Sequence, residues 1–174
     1  ERPPGPSWRN QPLASNVADG CLAMDMDFQP LATFKPAQME IEGHIVRREA
    51  NQVSMATVGS ATVVFAAPED GDYVIAIEAR GTKCAGEYAV GAVFVDGRMV
   101  GAMSTTNDWR RQAFAAKLQA GEHRITVRFI NDLQQPPEDR NFYLRSIAVG
   151  RAPKAFAEVV PIAHGPCVAA IPIG

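Results

Sequence analysis

The sequence predicts an all-β protein, an antiparallel β-sandwich of jelly-roll type with extended N- and C-terminal arms. Three observations lead there. Between residues 38 and 150, short runs of alternating apolar and polar residues recur about every ten residues, the pattern of half-buried strands. Turn chemistry separates the runs, at 68–72, 96–97, 107–108 and 120–122. No segment shows the 3.6-residue periodicity of an amphipathic helix.

Residues 1–37 read as an arm. The stretch ERPPGPSWRNQPLASNVADG is rich in Pro, Gly and Asn, with Trp8 as its one bulky anchor. Within the arm, residues 21–28 (CLAMDMDF) alternate as one strand. They set Asp25 and Asp27 on a polar face, read as a solvated edge or as a pair of metal-facing carboxylates.

The sandwich domain spans 38–150. Met39 and Ile41 alternate with Glu40 and Glu42 until Gly43 interrupts, and Ile45-Val46 resumes. SATVVFA at 60–66 and YVIAIEA at 73–79 are strands. YAVGAVFV at 88–95 is a longer one, with Gly91 as a bulge or a point of close approach. Asp96-Gly97 is the strongest hairpin signal in the chain and leads into a strand at 98–105. Strands follow at 109–118, 123–129 and 142–149. Residues 151–174 form a second, mostly apolar arm broken by Pro161, Pro166 and Pro172, and it must cover something.

The 174 residues suit one domain plus arms. A net charge of −2 gives no electrostatic footprint for nucleic acid. No run of 18 apolar residues exists to span a membrane. No signal peptide is recognisable, and Glu1-Arg2-Pro3-Pro4 suits a mature terminus left after removal of one. Cys21, Cys84 and Cys167 match no metal spacing, which leaves one disulfide plus a thiol, or three reduced cysteines.

Chemistry concentrates in 129–149. Asn131, Asp132, Glu138, Asp139 and Asn141 gather across a Pro136-Pro137 turn. Oxygen donors so close suit a hard cation or a polar ligand. The other reading is that Arg140 and backbone amides satisfy them. Trp109, Tyr88 and Tyr143 are candidate sugar-stacking rings, or else core and rim residues. His44, His123 and His164 lie in no nucleophile motif, so no enzyme is expected.

The segments GDYVIAIEARG, GEYAVGAVFVDGRMVG, DWRRQAFAAKLQAGEHRITVRFIND and EDRNFYLRSIAV, between 71 and 149, resemble the calcium-dependent xylan-binding carbohydrate-binding modules. Residues 38–70 do so loosely. The resemblance implies a secreted, extracellular or periplasmic module that binds polysaccharide without catalysis, with a calcium ion completed by vicinal sugar hydroxyls. It implies Asp132, Glu138 and Asp139 as calcium ligands, supported by Asn131 and Asn141, and ligand contacts from Asp132, Glu138, Asp139 and Trp109. Where the family's closing strand carries Asp, this chain has Arg145, and Ser146 stands where Trp is frequent. An acid there would serve a second, structural calcium with Glu40 or Glu42. Arg145 cannot, and is expected to pair with one of those glutamates. The alternative function is a structural subunit assembling through its arms into a homo-oligomer, sheath or filament, with the sugar site lost.

Overall fold

A computed structural model describes residues 29–152 and 171–172. Two antiparallel sheets face each other. The five-stranded sheet contains β2 (Glu40–Gly43), β5 (Gly59–Ala67), β9 (Val90–Val95), β10 (Arg98–Ser104) and β12 (Gly121–Phe129), in the order β10-β9-β12-β5-β2. The seven-stranded sheet contains β1 (Ala32–Phe34), β3 (Val46–Arg48), β4 (Val53–Met55), β6 (Gly71–Gly81), β11 (Arg110–Leu118), β15 (Phe142–Arg151) and β16 (Ile171–Pro172). Two small hairpins complete the set. One pairs β7 (Lys83–Cys84) with β8 (Glu87–Tyr88), the other β13 (Gln134–Gln135) with β14 (Glu138–Asp139).

Alternation sorts the side chains. On β6, Tyr73, Ile75, Ile77 and Ala79 join the core, packed with Phe65, Phe114, Ile125, Phe129 and Phe142. Each large side chain so buried contributes about 1.5–3 kcal/mol. Phe129 and Phe142 stack across the sandwich at 6.1 Å. Gly91 is a point of close approach. A Cβ there would lie 2.6 Å from the Phe142 ring, so the strand can pass only because the side chain is absent. The Asp96-Gly97 turn has φ of 50° and 80°, and it joins Val95 directly to Arg98 as a two-residue hairpin loop. The outer face of the seven-stranded sheet is not wet throughout, since Val74, Ala76 and Ala148 are buried there as well.

Several strands escape the periodicity. β1 lies inside the segment read as an arm, and pairs Ala32–Phe34 with Val149–Ile147. β4 and the two small hairpins are too short to show alternation. Trp8, the 21–28 strand with Asp25 and Asp27, Cys21, Cys167, His164 and 153–170 lie outside the described residues. Of the C-terminal arm, β16 pairs with β11, setting Ile171 opposite Ala113.

Candidate functional site

Three loops meet at one end of the sandwich: 82–89 with its small hairpin, 105–109 after β10, and 130–141 before β15. Backbone bonds lace them together. Gly81 N donates to Thr106 O at 2.8 Å, Thr82 N to Asn141 O at 3.0 Å, and Thr105 N to Ala89 O at 3.0 Å.

Arg140 holds the cluster. Only 4 % of it is exposed. Its guanidinium donates to three carbonyls: Cys84 O at 2.5 Å, Glu87 O at 3.0 Å and Asn131 O at 2.6 Å. The Glu87 carboxylate lies 3.7 Å away. A planar fork with five donors can hold three carbonyls on two loops, 82–89 and 130–141, in one fixed geometry, which a lysine cannot. Arg140 thus satisfies backbone oxygens rather than forking onto the loop carboxylates.

The other residues of the 131–141 stretch fall into two groups. Asn131 is a clasp, its Oδ1 accepting from Val90 N at 2.7 Å and its Nδ2 donating to Tyr88 O at 3.0 Å. Glu138 turns toward the β7–β8 hairpin and accepts from Ala85 N at 2.9 Å. Asp139 and Asn141 form a pair. Asn141 Nδ2 donates to Asp139 Oδ2 at 3.0 Å, and Thr82 Oγ1 donates to Asp139 O at 2.6 Å. The β13–β14 ladder sets Gln134 opposite Asp139, and Arg140 N donates to Leu133 O at 3.0 Å. The same register carries Asp132 to the position across from Asn141.

Asn141 Oδ1 is buried and has no hydrogen-bond partner among the described residues. Buried acceptors in native folds are nearly always satisfied, by protein, water or an ion. The same amide donates through Nδ2 to the Asp139 carboxylate, so an amide oxygen and a carboxylate, both donors a hard cation takes, belong to adjoining side chains. Asp132, Glu138 and Asp139 have no cationic side-chain partner among the described residues. Among the described residues no three Asp, Glu, His or Cys side chains converge as a ready metal cluster. A cation here would therefore draw on amide and backbone oxygens as much as on carboxylates.

Beside this loop end, the outer face of the seven-stranded sheet carries Trp109, half-buried. Its ring lies under the Arg145 guanidinium at 3.8 Å, with Arg80 at 5.3 Å. Arg80 also lies over Tyr143 at 4.1 Å. Tyr88 packs against Lys83 and accepts from Asn107 Nδ2 at 3.2 Å. Arg145 does not pair with Glu40 or Glu42. Those glutamates belong to β2 in the opposite sheet, where Glu40 meets Arg124 at 3.5 Å. Arg145 instead bonds Glu78 Oε1 at 2.9 Å, brought beside it by the β15–β6 pairing and its irregularity between Leu144 and Ser146. Periodicity alone does not reveal Arg80 or Glu78 as site residues. The strand order that places β6 between β11 and β15 does.

At the far end, His123 is structural. Its Nδ1 meets Asp96 Oδ2 at 2.6 Å and its Nε2 meets Gln119 O at 2.7 Å. The bond to the Gln119 carbonyl, then that to Asp96, raises its pKa above the ordinary 6.5. Asp96 is held below 3.8 by the Arg124 backbone N–H and by His123.

Comparison with known proteins bears on this geometry. Residues 74–156 match the family model CBM60, described as Ca-dependent carbohydrate-binding module xylan-binding. No curated protein matches the chain. Among solved structures, a family 35 carbohydrate-binding module from Clostridium thermocellum is similar with a TM-score of 0.54 at 17% identity, covering 72% of this chain and 100% of that one. A CBM36 module in complex with calcium and xylotriose gives 0.52 at 12% identity, covering 69% and 100%. A mannan-binding module from Man5C gives 0.51 at 15% identity, covering 70% and 99%. At these identities the likeness concerns the fold. The chain thus resembles the calcium-dependent xylan-binding carbohydrate-binding modules in sequence over residues 74–156, and its described residues carry a carbohydrate-binding-module β-sandwich.

Proposed function

We propose that the chain is a non-catalytic carbohydrate-binding module, extracellular or periplasmic, which takes a xylan- or mannan-type polysaccharide at the loop end with the help of calcium. The observation that supports this best is the unpartnered, buried Oδ1 of Asn141, set beside the Asp139 carboxylate. Asp132, Asp139 and Asn141 would hold the ion, with Glu138 and the backbone of the 131–141 loop completing the set. Calcium would supply open coordination positions for neighbouring sugar hydroxyls. The chain's own part is positional. Arg140 ties the 82–89 loop to the 130–141 loop and Asn131 clasps β8 to the latter, so the oxygens stand ready. Trp109 flanks the site on the outer face of the sheet. The alternative, a subunit assembling through its arms, rests on segments outside the described residues. The described strands of the two arms, β1 and β16, both pair within the chain.

The test is a thermal melt and a titration with xylo- and manno-oligosaccharides, each with calcium and with chelator. At a hundredfold excess over Kd, calcium stabilises by about 2.7 kcal/mol, a rise in Tm on the order of 10 °C. Asp139→Asn should remove most of that rise and the oligosaccharide binding. A chelator that changes neither Tm nor binding would rule the calcium reading out.

A further inference from the structure

The outer face of the seven-stranded sheet carries a row of side chains that neutral-sugar binding does not require. Arg47 on β3, Ser54 on β4, Tyr143 on β15 and Arg80 on β6 are successive register partners, so they stand in one line across four strands. Trp109 continues the line, since Arg80 reaches over its ring as well as over Tyr143. In the next row, Arg111 on β11 faces Glu78 on β6, and Arg145 lies on the other side of Glu78. Four arginines therefore share the face, and only Arg145 has an ion pair among the described residues.

Arg80 is the centre of this arrangement. It is half-buried, and its guanidinium carbon lies over two rings, Tyr143 at 4.1 Å and Trp109 at 5.3 Å from the centroids. A guanidinium over aromatic rings keeps N–H groups for hydrogen bonding. A guanidinium held in this way is pre-organised for bidentate bonding to a carboxylate. No carboxylate of the chain takes those N–H groups among the described residues.

We infer that this face binds the carboxylates of an acidic polysaccharide, one bearing uronic acid residues, with Arg80 as the anchor and Trp109 and Tyr143 as flanking walls. The inference rests on the carbohydrate-binding reading and names its substrate class. Charge complementarity selects the partner: four guanidinium groups against the two carboxylates of Glu78 and Glu49, the latter bonded to Ser54 Oγ at 2.6 Å, on a chain whose net charge is −2. Nucleic acid is a poor fit, because the chain carries a net charge of −2 and the carboxylates of Glu49 and Glu78 stand among these arginines. Arg111, opposite Glu78, extends the positive surface along the sheet, so a chain with several uronates can touch it at more than one point.

The experiment titrates the full chain with a glucuronate-bearing xylan, with the same xylan after reduction of its carboxyls to alcohols, and with dextran sulfate as a control polyanion. The expected result is about tenfold tighter binding of the uronate form, the value of one well-formed charged hydrogen-bonding pair. Added salt should narrow the preference. Arg80→Gln should erase the preference between the two xylans. Arg80→Lys should restore little of it, since an ammonium offers no fork. Arg111→Gln should give a smaller loss in the same direction, and it reads the same face should Arg80→Gln fold poorly. Equal affinity of the wild-type chain for the two xylans would overturn the inference. So would a preference that survives Arg80→Gln, or dextran sulfate binding as tightly as the uronate form. The two readings fail separately. If reduced xylan binds with calcium but no uronate preference exists, the acidic face is refuted and the loop site stands. If an Arg80-dependent uronate preference exists without calcium-dependent binding, the loop site is refuted and the acidic face stands.

Discussion

Replacing Arg140 by methionine keeps much of the side-chain volume and removes every donor. The carbonyls of Cys84, Glu87 and Asn131, now 2.5–3.0 Å from the guanidinium, then have no side-chain partner. Each orphaned buried acceptor costs about 1–3 kcal/mol, and the three share one environment, so the costs do not simply add. One of the three bonds is fully buried and two are partly so, and the expected loss is about 3 kcal/mol. For a domain of this size, at about 0.05–0.15 kcal/mol per residue, such a loss is a large fraction of the total. Urea unfolding followed by Trp fluorescence measures it. With an m value of about 1–3 kcal/mol/M, the midpoint should fall by roughly 1–3 M. Arg140→Lys should recover only a small part, because one compact ammonium lacks the planar fork that spans the three carbonyls. A midpoint shift below about 0.5 M for Arg140→Met would refute the reasoning. It would show the loops held by their backbone bonds alone.

Other consequences are open to direct measurement. Gly91→Ala places a methyl 2.6 Å from the Phe142 ring, which is fully buried against Phe129. A cost of about 1–3 kcal/mol is expected in chemical denaturation, from overpacking. The His123–Asp96 pair sets a pH window. His123 has a raised folded pKa, so its contribution is complete below about pH 6.5 and is lost as pH rises through that raised value. Asp96 has a lowered folded pKa, so its contribution is present above about pH 3.8 and is lost as pH falls through the lowered value. Tm should therefore be highest between these limits, and an NMR titration of His123 should show a midpoint above 6.5. Asp96→Asn should lower that midpoint only in part, because the Gln119 carbonyl is the larger cause. Glu78→Gln should weaken the hold on Arg145 and change Trp109 fluorescence without unfolding the domain, since the pair lies on the outer face of the sheet.

The sandwich could be read in advance because most of its long strands carry their own alternation, and because turn residues such as Asp96-Gly97 impose backbone geometry locally. Gly91 could be read in part: its lack of a side chain in an apolar strand signals a close neighbour, but nothing local says the neighbour is Phe142. β1 and β4 are three residues each, too short for a period, and are held by the edge of β15 that they share. The loop cluster was visible as a run of oxygen-bearing residues. The role of Arg140 was not, since its three acceptors are backbone atoms, and any sequence offers those everywhere. Arg145 was misassigned to Glu40 or Glu42 because sequence gives no sheet membership. Its partner was fixed only once β6 and β15 became neighbours.

β15 is the most connected strand of the larger sheet, with β6 along one edge and β1 and β4 sharing the other. It is also the last long strand that the described chain contributes, whereas the five-stranded sheet is complete by Phe129. During synthesis the smaller sheet has all its strands before the larger one can close. Until β15 emerges, β1, β3 and β4 have no bridge to β6, and Arg140, two residues ahead of β15, cannot reach its carbonyls. Such sequence-distant pairing is slow, on the order of milliseconds to seconds. The loop end should therefore be the last region of the domain to gain protection in pulse-labelled hydrogen exchange. A ribosome-bound chain whose residues up to about 140 have emerged would hold every strand of the five-stranded sheet and no formed loop site.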